Sequence, residues 1–208
     1  MFSIFKRIFA GSHAIRPDPT YGIEVCSEEQ LLREHFSPSE EQIQALGQLV
    51  QLVANPLGEA ASSALAYRIT SSLEPGQTTT EAFLDGTQEV DGEHRLLSIF
   101  VDWKAWDQIA WQTNMLLDAH GVTDRWTGVE DRSDWTGVRR GQETPVVLLE
   151  LDSWLDSRGF CLLHVDTSGD DYLGFIVMKA DSPNALHLAT EAGLTVRTSS
   201  DFRSYCGL

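Results

Sequence analysis

The sequence predicts an α+β fold in which a helical N-terminal segment packs on a small mixed or antiparallel sheet. Three observations carry this reading. Between residues 38 and 73 apolar side chains recur at three- and four-residue spacing, the period of a helix with one buried face. After Arg95 that period gives way to short runs rich in Val, Ile, Leu and Phe, the pattern of strands. Two of those runs are joined by the short stretch Thr167-Ser168-Gly169-Asp170, which makes them a β-hairpin.

The opening, MFSIFKRIFAG, sets Phe2, Ile4, Phe5, Ile8 and Phe9 largely on one helical face, with Lys6 and Arg7 opposite. Charges interrupt the apolar run and no small-residue cleavage site follows it, so it reads as a short arm rather than a signal peptide. Residues 2–9 are expected to make weak peripheral membrane contact or to dock on their own protein. Pro17 and Pro19 mark a connector, so 1–26 is an N-terminal arm and connector.

Ser27 with Gln30, and Ser37 with Pro38 and Glu40, match capping signals. They predict helices over 28–36 and 38–54. In the second, Ile43, Leu46, Leu49, Val50 and Val53 form one apolar stripe that must be buried. A third helix, 57–73, is rich in Ala and Ser and stops before Pro75-Gly76, while 74–92 has few apolar positions and reads as a long loop. Residues 27–92 thus form a helical segment.

Residues 93–208 read as the α+β core, in one compact unit with 27–92. LLSIFV is a strand buried on both faces, and the segment from Lys104 to His120 is a helix stopped at Gly121. Residues 122–142 repeat a motif, DRWTGV then SDWTGV, with Trp126 and Trp135 at equivalent places. Thr144-Pro145 opens a helix that ends at Gly159, and the hairpin follows. Ser182-Pro183 opens another helix, Gly193 ends it, and LTVRT supplies a closing strand. Setting one helix aside, the order is βαββαβ, the ferredoxin-like arrangement; an open mixed α/β sheet built from the same elements is the alternative.

Fifteen Lys and Arg against thirty-one Asp and Glu give a formal net charge of −16, which repels phosphate backbones, so nucleic acid is not an expected partner. The same field speeds encounter with a basic one. Cys26, Cys161 and Cys206 lack C-x-x-C spacing and read as free thiols in a reducing, cytoplasmic setting. No run of about eighteen apolar residues predicts a membrane span. Phosphate-loop, nucleophile-elbow, zinc-protease, dinucleotide and EF-hand motifs are missing, and the histidines never fall at a spacing that sets two ligands on one helix face. No cofactor is expected.

The least ordinary cluster is Asp166, Asp170 and Asp171 around the hairpin, with Asp102 at the end of the first strand and His164 nearby. If strands 95–102 and 160–166 were parallel neighbours, Asp102 and Asp166 would meet. Paired carboxylates hold divalent cations or divide acid and base roles, but Asp and Gly are also what tight turns and helix caps require. Trp126 and Trp135 are either packed or form an aromatic ligand platform.

VDWKAWDQIAWQ and LDSWLDSRGFCLLHVDTSGDDYLGFIV resemble an uncharacterised bacterial domain family of unknown function, over residues 94–198. The resemblance implies an α+β fold and carries no catalytic residue across. Two expectations about function follow. The first is a soluble acidic interaction module, immunity-protein-like, that occupies a basic partner protein and is not an enzyme. The second is a metal- or carboxylate-dependent hydrolase using Asp102, Asp166 and Asp170.

Overall fold

The computed structural model describes residues 27, 37–88, 96–128 and 137–208. The expected N-terminal arm, the helix over 28–36, Cys26, His94 and Trp135 lie outside the described residues. Helix α1 spans Glu40–Val53 and opens on a capping box at Ser39: its hydroxyl accepts from the Gln42 amide at 3.2 Å, and Gln42 Oε1 accepts from the Ser39 amide at 2.9 Å. The cap is therefore Ser39 and not Ser37, because only Ser39 stands three residues before a side chain that reaches back. Helix α2, Glu59–Ser71, lies against α1.

The stretch expected as a long loop contains helix α3, Thr79–Gln88. Thr78 and Glu81 cap it reciprocally, the Thr78 amide donating to Glu81 Oε2 at 2.9 Å and the Glu81 amide to Thr78 Oγ1 at 3.2 Å. Ala82 and Phe83 are buried, but so short an apolar stripe gives a weak helical period. Gly86 lets α3 approach α2 closely, since a Cβ built there would lie inside the Ile69 side chain. Gly86→Ala is expected to cost about 1–3 kcal/mol through overpacking, despite alanine's better helix propensity. A thermal melt that rises instead would show that Ile69 moves aside freely.

Strand β1 is Ser98–Asp102, followed by a 3₁₀ turn at Trp106–Gln108 and helix α4, Ile109–Ala119. Helix α5 spans Glu143–Asp156, with Gln142 at its N-cap position. Thr144, expected as that cap, instead donates its hydroxyl to the Trp103 carbonyl at 2.7 Å. The hairpin strands are β2, Phe160–Val165, and β3, Asp171–Met178. Helix α6, Ser182–Glu191, leads to the two-residue strand β4, Val196–Arg197. A further helix, α7, Ser199–Tyr205, starts from Thr198, whose hydroxyl accepts from the Asp201 amide. No helix among the described residues is long and apolar enough to cross a membrane.

The sheet order is β1-β3-β2-β4, antiparallel throughout. The α+β class is as expected; neither the mixed sheet nor the full ferredoxin-like order is found. β1 and β2 run parallel with β3 between them, as a split βαβ unit requires. β4, however, pairs with β2 on the far edge from β1. The outer edge of β1 is already occupied: Gln112 of α4 accepts from the Phe100 amide at 2.8 Å and donates to its carbonyl at 3.0 Å. A side-chain amide so placed satisfies the edge that another strand would have used.

Five consecutive residues of β3, Leu173 to Val177, are buried, as are Leu162 to Val165 of β2, so helices cover both sheet faces. Alternation turns Leu163, Leu173 and Phe175 toward one face, where Phe83 of α3 meets Phe175 edge-on. Leu162, His164 and Ile176 face the other way, where Phe202 of α7 stacks on His164. A single apolar cluster runs from Ala45 to Phe202 through both layers, so the helical segment and the core share one interior.

Candidate functional site

The C-terminal ends of β1 and β2 and the N-terminal end of β3 lie at one end of the sheet, because Asp102 stands opposite Asp171 and Val165 opposite Leu173. The hairpin turn is shaped by its own side chains. Asp166 Oδ1 accepts from the Ser168 amide at 2.9 Å, and Thr167 donates to the Asp171 carbonyl at 3.0 Å. Ser168 takes a left-handed φ of 56°, an uncommon conformation for a residue with a Cβ. The turn chemistry of these residues is therefore real, and it sets where the acids point.

The expected carboxylates do not converge. Asp166 is engaged by Arg197 of β4, Nη2 to Oδ2, at 2.7 Å. That guanidinium, seconded by the Ser168 amide, holds its carboxyl below the usual range. Asp102 accepts from the Lys104 amide at 2.9 Å, a local turn ahead of α4. β1 and β2 are parallel but not neighbours, so Asp102 meets Asp171 of β3 rather than Asp166. Asp170 is exposed beside them. Among the described residues no group of three His, Cys, Asp or Glu side chains is disposed to hold a metal ion.

What the fold assembles is an acidic corner with no ion-pair partner among the described residues. Burial first, then the charges of Asp102 and Asp170, raise the carboxyl of Asp171 above its ordinary value. Like charges directly opposite across a ladder are destabilising. Two cations of this region are engaged elsewhere: Arg197 pairs with Asp166, and Lys104 lies over the ring of Trp103 at 4.2 Å from its centroid.

Beside this corner opens a cleft of about 440 Å³, bordered by Asp166, Asp170 and Asp171 and walled by Trp103, Tyr172 and Tyr205. Its other wall is Phe202 of α7, which stacks on His164 with ring centroids 3.8 Å apart and planes within 2°. His164 is 3% exposed. Burial, with a lesser contribution from Arg197, lowers its pKa to about 3, so the imidazole is neutral at physiological pH. Burial likewise pushes Tyr172 up to about 12.

Trp126 is not part of this site. It is 6% exposed and belongs to the core. Its backbone is pinned by Asn114, which accepts from the Trp126 amide at 3.0 Å and donates to its carbonyl at 3.1 Å. The platform reading of Trp126 gives way to packing, because the chain around it is clamped to α4. Tyr172, Arg197, Phe202 and Tyr205 carry no chemical motif; only the hairpin and the closing strand brought them near the acids.

A family model described as a domain of unknown function, DUF6630, matches residues 30–199. The matched stretch takes in the N-terminal helices as well as the sheet, while Phe202 and Tyr205 fall just past it. No curated protein and no solved structure matches the chain. With residues 30–199 of its 208 covered, the chain belongs to this family of domains of unknown function, DUF6630.

Proposed function

We propose that this protein is an interaction module that binds a basic partner protein through the acidic end of its sheet. The observation that carries the reading is the opposed pair Asp102 and Asp171, with Asp170 beside it. None of the three has an ion-pair partner among the described residues. A fold that sets like charges across a ladder gives up stability, and a cation from outside restores it. The net charge of −16 adds long-range attraction that speeds encounter and fades with salt. The carboxylate-enzyme reading draws no support from this arrangement, in which Asp166 is engaged by Arg197.

The test compares capture from lysate by the full chain, by the triple variant Asp102→Asn, Asp170→Asn, Asp171→Asn, and by a control of equal charge change. The control is Glu40→Gln, Glu59→Gln, Glu74→Gln, all exposed positions away from the cleft. The expected result is a basic protein held by wild type and control at about 50 mM salt, released at about 500 mM, and lost by the triple variant. The triple variant should also be slightly more stable, by at most about 1 kcal/mol once solvent screening is counted. Capture that ignores salt, or that survives in the triple variant, would overturn the reading.

A further inference from the structure

His164 Nε2 is buried and has no hydrogen-bond partner, yet the residue lines the cleft. A buried polar atom left unpaired in a folded protein calls for a water, an ion or a ligand. The parallel stack on Phe202 holds the ring plane in place, so the imidazole does not turn to find a partner within the chain.

The cleft already shows what its walls bind. Arg197 stands opposite His164 in the β2–β4 ladder, donates to Asp166 at 2.7 Å, and lies 4.0 Å from the centroid of the Tyr205 ring. A guanidinium is thus held by a carboxylate at its edge and an aromatic face beneath it. The rest of the cleft repeats those materials: Asp170 as acceptor with Asp171 at its border, and Trp103 and Tyr172 as aromatic walls.

We propose that the cleft takes a second guanidinium, an arginine side chain of the basic partner, whose N–H groups are accepted by Asp170 and by His164 Nε2, while Asp102 and Asp171 add their charge from the strand end. This rests on the interaction reading and names its anchor. Arginine suits the cleft better than lysine. It presents five donors in a rigid fork, stacks on aromatic rings and sheds water more readily than an ammonium. His164 accepts when its proton sits on Nδ1, and the neutral form that burial enforces keeps that acceptor available.

The probe is N-acetyl-arginine amide, titrated into the full chain while long-range proton–nitrogen spectra follow the His164 imidazole. We expect a saturable shift of Nε2, binding at least about tenfold weaker for N-acetyl-lysine amide, and weaker arginine-amide binding by the surface variant Asp171→Asn. Free arginine brings an α-carboxylate to the acidic corner and should bind less well than the amide; equal or tighter binding would assign the pocket to a small molecule and overturn the partner assignment. An unmoved Nε2 signal, or equal response to the lysine amide, overturns the proposal. If salt-released capture of a basic partner persists in that case, the interaction reading stands and the anchor alone falls. Loss of capture removes the reading itself.

Discussion

Phe175→Ala is expected to remove about 3–5 kcal/mol of folding stability. Phe175 is fully buried at the centre of β3 and meets Phe83 edge-on at 5.3 Å between centroids. Its backbone is held from both sides, opposite Ser98 of β1 and Leu163 of β2. A site clamped by two ladders does not collapse around a missing ring, so both the transfer energy and the cavity term are lost. Against a typical domain stability of about 5–15 kcal/mol, this one residue accounts for a large fraction. Urea unfolding should show a lower midpoint with an unchanged slope, and Phe175→Leu should lose no more than about 1.5 kcal/mol. A loss that small in the alanine variant would mean that the helices on this face repack readily and that the aromatic pair is not a fixed part of the core.

Acid is expected to weaken this protein before its carboxylates are protonated. Burial lowers His164 to about 3 and His120 to about 4, against 6.5 for a free imidazole. Both folded values are depressed, so the unfolded chain takes up protons that the native state refuses. The stability from these two groups is fully present above pH 6.5. It is lost as pH falls from there toward the folded values. At up to about 1.4 kcal/mol per pH unit for each group, the loss between pH 7 and pH 5 is about 2–4 kcal/mol. Asp166, lowered by Arg197, adds a loss of the same sign below the ordinary carboxylate range, whereas the raised Asp171 works in the opposite direction. Urea midpoints at the two pH values measure the effect. His164→Phe, which keeps a ring against Phe202, should flatten the slope by about half. A wild-type midpoint that does not move between pH 7 and pH 5 would mean that the imidazoles are not held neutral.

Much of the fold was legible. The hairpin, the strand at LLSIFV and the helices Glu40–Val53, Glu59–Ser71, Ile109–Ala119, Glu143–Asp156 and Ser182–Glu191 stand close to where their periods place them, because burial on one or two faces is written directly into local spacing. Two helices escaped that reading although each carried a start signal. Thr78 with Glu81, and Thr198 with Asp201, are caps. The helices behind them have only two or three apolar residues each, too few to stand out as a period.

The candidate site was legible only in part. Asp170 and Asp171 do border a cleft and Asp102 does meet another acid, but Asp166 is neutralised by an arginine 31 residues away, and Trp126 is core.

By itself, then, the sequence determined the α+β class, most element positions and the acidic character, since each depends on spacing or composition alone. The tertiary structure decided which edge β4 joins, which acids remain without a cation, and that His164 lies under Phe202 with one nitrogen unpaired. Those outcomes depend on contacts between distant residues. Gln112 capping β1, Arg197 reaching Asp166 and Phe202 closing on His164 exist only once the helices have packed on both faces of the sheet.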